Sequence, residues 1–77
     1  MSRTIQDPGL QLWEVYATSG RAGFPEHARM VFQCLSEPGR RARFLEREGD
    51  KSDVENEVTS LPPADLVRLL EQSEELP

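Results

Sequence analysis

Apolar positions along the chain fall into three differently spaced groups. In "LQLWEVYAT" (10–18) they alternate, with Gln11, Trp13, Val15 and Ala17 on one side and Leu10, Leu12, Glu14 and Tyr16 on the other. A run rich in aromatic and β-branched residues with this period predicts a strand. Asp7-Pro8-Gly9 just before it is a turn signature, and residues 1–9 are expected to fray. The two glycines and one proline of "SGRAGFPEH" (19–27) predict a loop.

The middle of the chain admits two readings. In 28–36, Met30, Phe32 and Cys34 alternate with Val31, Gln33 and Leu35, which is apolar on both faces, as in a central strand. The same stretch from Pro25 to Ser36 also puts Phe24, Ala28, Val31, Phe32 and Leu35 on one helical stripe. Glu37-Pro38-Gly39-Arg40 has the residues of a type II turn, with proline second and glycine third. Beyond it, Arg41, Arg43, Leu45 and Arg47 alternate with Ala42, Phe44, Glu46 and Glu48 without forming a helical stripe. We therefore read 28–36 and 40–48 as an antiparallel hairpin, with a helix over 25–36 as the competing reading.

The last third is helical. Ser52-Asp53-Val54-Glu55 fits a capping box, and Val54, Val58 and Leu61 follow at the spacing of one apolar stripe. Leu61-Pro62-Pro63 ends that helix, because a residue before proline avoids the α region. Pro63 suits the first turn of a second helix, whose buried face is Leu66, Leu69 and Leu70, widened by Val67. Residues 74–77 are expected to fray. The fold expected is α+β: a three-stranded antiparallel sheet followed by a helical hairpin that covers one face, in a single small domain.

Composition narrows the chemistry. With 77 residues, the chain buries only about 60% of its unfolded surface, too little for a core plus an enclosed substrate pocket. It has one cysteine, Cys34, and one histidine, His27. These provide no disulfide, no zinc set and no recognisable nucleophile–base pair, and "SGRAGF" lacks the lysine of a phosphate loop. No enzyme, metal or cofactor is expected. No apolar run is long enough for a membrane span or signal peptide, so a soluble cytoplasmic protein without a membrane role is the default.

Charge is unevenly distributed. Residues 21–47 hold six arginines against three glutamates, whereas 48–77 hold two basic and nine acidic side chains, within a net charge of −5. On an alternating strand Arg41, Arg43 and Arg47 share one face, joined by Arg29 from its neighbour. Such a face could meet nucleic acid or another anion, although the net charge opposes nucleic acid. Tyr16 is the aromatic most suited to an exposed contact. The function expected is a non-catalytic interaction or regulatory module using the open sheet face or an edge strand. Its partner is a protein not identifiable from sequence, and the chain is a monomer or weak homodimer. The alternative is anion binding by the arginine hairpin.

"CLSEPGRRARF" (34–44) resembles the end of the J domain of co-chaperones, through Leu35, Ser36, Pro38, Arg41 and Phe44, with Glu37 in the place of an aspartate. That resemblance implies a helix ending near Ser36 and so favours the helical reading of 25–36. The family's His-Pro-Asp tripeptide has no counterpart, since His27 precedes Ala28. No functional residue carries over.

Overall fold

The computed structural model describes residues 2–20 and 27–76. Seven elements follow one another: β1 (Ser2–Gln6), β2 (Leu12–Thr18), β3 (Arg29–Cys34), β4 (Arg43–Glu46), α1 (Lys51–Ser60), α2 (Pro63–Gln72) and β5 (Glu74–Glu75). The strands form one antiparallel sheet in the order β1-β2-β3-β4-β5. An antiparallel α+β fold with two helices is therefore present, but the sheet has five strands rather than three.

The two additional strands come from the segments expected to fray. β1 was hidden because only Ile5 is apolar in "SRTIQ"; Ile5 stands opposite Trp13 and is 3% exposed, while Ser2, Thr4 and Gln6 face solvent. β5 has two glutamates and is held by backbone pairing alone, Arg43 opposite Glu75 and Phe44 opposite Glu74, extended by the Leu76 amide donating to Ala42 O at 2.8 Å.

Residues 29–34 are a strand, so the helical reading of 25–36 and the architecture implied by the J-domain resemblance both fall. Two-sided burial decided it: Met30, Phe32 and Cys34 enter the core while Val31 is buried on the opposite face. Glu37 to Arg40 closes with an Arg40 N–H to Glu37 O bond of 3.0 Å. Gly39 lacks the positive φ that a type II turn requires, so the turn is of another type. The strands are also shorter than the expected 28–36 and 40–48, ending at Cys34 and resuming at Arg43. The loop expected at 19–27 lies largely outside the described residues.

Both helices pack on one sheet face. Val54 and Val58 of α1 and Leu66 and Leu70 of α2 close over Ile5, Trp13, Val15, Ala17, Met30, Phe32 and Cys34. The first helix begins two residues earlier than the serine cap predicts. Asp50 is the N-cap: its carboxylate accepts from the Asp53 amide at 3.0 Å, and Asp53 accepts from the Asp50 amide at 3.1 Å. Aspartate serves both positions of this reciprocal cap as well as the serine–glutamate pair would.

Neither helix has a basic residue in its last turn. The cations arrive from the sheet instead. Arg3 of β1 donates to Val58 O at 3.1 Å and Leu61 O at 2.5 Å, at the end of α1. Arg43 of β4 donates to Ser73 O and, at 2.8 Å, to Ser73 Oγ, and that hydroxyl donates on to Leu70 O at the end of α2. Arg47, just beyond β4, grips Glu57 of α1 through two bonds of 3.1 and 2.6 Å. Those bonds raise the Arg47 pKa above its ordinary value against the opposing effect of burial.

Replacing Arg3 by methionine keeps the aliphatic stem and removes the donors. It is expected to cost about 1.5–3 kcal/mol in urea unfolding, the range for hydrogen bonds made by a charged group. Gly49 precedes the cap at φ +103°, and a Cβ there would lie 2.5 Å from Asp53 Oδ2. Gly49→Ala is expected to cost about 2 kcal/mol, through strain and loss of the cap. Hydrogen exchange should show the faster opening confined first to the start of α1.

Candidate interaction face

The face turned away from the helices is where the fold leaves side chains available. Alternation and register define its rows. Ser2, Tyr16, Val31, Phe44 and Glu74 lie abreast across all five strands. On one side run Thr18, Arg29 and Glu46; on the other, Thr4, Glu14 and Gln33. At the far end Gln6 stands beside Leu12, and Leu12 accepts a 2.8 Å bond from the Leu35 amide. Val54, Val58, Leu66 and Leu70 of the helices pack on the other face, while Lys51 and Glu55 of α1 line a cleft with Ser2, Glu14 and Tyr16 at the edge of this one.

Its centre is apolar. Val31 is 5% exposed although it is not part of the helix-side core; Tyr16 and Phe44 flank it and are themselves half-buried. The Arg29 guanidinium lies 4.6 Å from the centroid of the Phe44 ring, a cation–π arrangement. Its Nε is buried and has no hydrogen-bond partner.

The apolar end is more exposed. Leu10, Leu12 and Leu35 are the large apolar residues most open to solvent, with Leu10 at 73%. Leu10 does not extend β2 as the alternation suggests. It sits in the turn before that strand at φ 67°, a left-handed conformation unfavourable to a branched side chain. The turn is braced around it. The Asp7 carboxylate accepts from the Gln11 amide at 2.9 Å and from Trp13 Nε1 at 2.9 Å, and Asp7 O accepts from the Leu10 amide at 3.0 Å. Burial alone would raise the Asp7 pKa. Those bonds, another from the Gly9 amide and the nearby Arg40 charge outweigh it and hold the carboxyl below its ordinary value. Arg40 in turn lies 4.9 Å from the Trp13 ring centroid.

The five residues expected to bind a partner are divided by the sheet. Tyr16 and Arg29 lie on the open face. Arg43 and Arg47 lie on the covered face, bonded to Ser73 and Glu57. Arg41 is exposed in the turn before β4. The arginines thus do not form one surface. Arg43 and Arg47 share the side that the helices cover, Arg41 lies outside β4, and Arg29 belongs to the opposite side. Sequence reasoning did not single out Leu12 and Leu35; the register of β2 against β3 is what brings them to the same end of the open face.

Among the described residues, no group of three histidine, cysteine or acidic side chains is placed to hold a metal ion. Cys34 is buried, with its Sγ 3.8 Å from Gln11 Oε1. His27 forms an isolated bridge with Gly49, 7 positions before Cys34 in the chain. Among the described residues, no helix is long and apolar enough to cross a membrane. No family model, curated protein or solved structure matches the chain.

Leu10→Asn is expected to raise the unfolding free energy by about 0.5–1 kcal/mol, because asparagine tolerates the left-handed conformation. Urea denaturation measures this directly. A loss of the same size would show that Leu10 instead packs against the fold.

Proposed function

We propose that this chain is a small non-catalytic protein-interaction module that binds through its open sheet face. One observation carries the reading. Leu12 and Leu35, both exposed and joined by a backbone bond, lie at one end of the face whose centre is the Tyr16–Val31–Phe44 row, and Leu10 is exposed in the turn before β2. Leu10 reaches solvent from a left-handed backbone position, a local cost with no packing return in its exposed side chain. Contiguous apolar exposure of this kind marks contact surfaces in small soluble proteins. Aromatic and arginine side chains such as Tyr16 and Arg29 are the types that dominate contact energies.

Strand addition along β1 offers a second route on the same sheet, to a partner or to another copy of the chain. Among the described residues β1 pairs only with β2, which leaves its outer edge as the end of the sheet. The face is preferred because it supplies side chains as well as backbone. Anion binding by the hairpin draws less support, since Arg43 and Arg47 already serve the helices.

The test is affinity capture with wild-type protein beside a Leu12→Ser/Leu35→Ser variant and a Tyr16→Ser variant, each checked for fold by circular dichroism. Proteins retained by the wild type should be lost from both variants. Undiminished retention by the folded variants would overturn the reading. Sedimentation of the same samples separates a second copy from a foreign partner.

A further inference from the structure

The open face has a charge pattern that says what should cover it. Its strand residues include three glutamates, Glu14, Glu46 and Glu74, and one arginine, Arg29. Glu14 accepts from the Ser2 hydroxyl at 2.9 Å. Glu46 and Glu74 have no cationic partner among the described residues, although Glu46 stands directly opposite Arg29 across the β3–β4 pair. Arg29 leans instead over Phe44. The two free carboxylates flank that ring, Glu74 beside it in the same row and Glu46 in the next.

We infer that the open face takes a basic segment of a partner protein, with arginine or lysine side chains alternating with apolar ones. This deepens the interaction-module reading and rests on it. The chemistry is complementary at each part of the face. Tyr16 and the remaining surface of Phe44 offer aromatic faces to a cation, Glu46 and Glu74 offer uncompensated carboxylates beside them, and Leu12 with Leu35 takes the apolar side chains. Arg29 shows within the chain that the Phe44 ring holds a guanidinium. It also occupies part of the surface an incoming cation would use. Arg29 is therefore a competitor of the partner rather than its anchor, and the sign of its mutational effect is diagnostic.

Fluorescence anisotropy of a labelled peptide alternating arginine and leucine, beside a glutamate–leucine peptide of equal length, tests this on the full chain. The arginine peptide should bind, and salt should weaken it. Glu46→Lys/Glu74→Lys should weaken it about tenfold, as expected when paired charges are reversed, whereas Arg29→Ala, or Arg29→Gln if the alanine variant does not fold, should tighten it. Amide shifts should move at Tyr16, Val31 and Phe44. Shifts centred on Glu55, Glu57 and Glu71 of the helices would overturn the inference. So would preference for the glutamate peptide, or weaker binding by the Arg29 variant. Neither peptide binding, while capture remains sensitive to Tyr16, would sink the basic-partner inference and leave the interaction module standing. Capture insensitive to Tyr16, Leu12 and Leu35 would sink the module itself.

Discussion

Two helices with no cation in their last turns are the constraint around which this sheet is arranged. A helix C-terminus presents unpaired carbonyls and a partial negative charge, and both need satisfying where the end is packed against protein. Local sequence provides neither a basic last turn nor a glycine cap; Leu61 and Ser73 close the helices in extended conformation. Arginines from the sheet supply the donors, over sequence separations of 55 to 58 residues for Arg3 and 30 for Arg43. Long side chains suit this work, because their stems cross apolar surface and their forks reach several acceptors at once. Fastening the C-terminal helices to the first and fourth strands also ties together the distant ends of a chain whose small core stabilises it only marginally.

The distribution of charge follows from that arrangement. Arg3, Arg43 and Arg47 turn inward towards the helices, the first two onto helix-end acceptors and Arg47 onto the Glu57 carboxylate. The opposite face is left with Arg29 as the base on its strands and with glutamates that have no such counterpart. Its acidity is thus the complement of how the helices are held. The same inward turn weakens the case for a phosphate-binding surface, which needs its guanidinium groups unspent.

What could be read from residue order was set by how local each interaction is. The alternation of 10–18 and the leucine stripe of 66–70 are local patterns: the first put Trp13 and Val15 on one side of a strand, the second named Leu66 and Leu70 as buried, and all four are in the core. The Pro-Pro corner between helices is local as well. β1 and β5 were illegible because their pairing uses backbone groups that every residue has, while their side chains, apart from Ile5, are polar and face outward. For β4 the limit was different. Ala42 and Phe44 on one side nearly balance Leu45 on the other, so hydrophobicity could not say which side meets the core. The decision rests with Ser73 and Glu57, acceptors far along the chain that reward Arg43 and Arg47 for facing in.

The contact face is the least legible part for the same reason. Val31 looks like a core residue, and it is buried, but on the side away from the helices, with Tyr16 and Phe44 as its cross-strand neighbours. A sheet with one covered face ordinarily turns polar side chains to water on the other. Here a hydrophobic row crosses three strands and an arginine shields part of it. Shielding by Arg29 lets the row stay in water without association, because a charged group that lies on an aromatic ring hides apolar area while keeping the surface hydrated. It leaves that Nε buried and without an acceptor, a cost carried by the closed arrangement. A partner cation that brings its own apolar neighbours can displace the guanidinium outward, where water satisfies it. On the inferred reading, Arg29 is thus an internal cover over the aromatic surface that a basic partner would use.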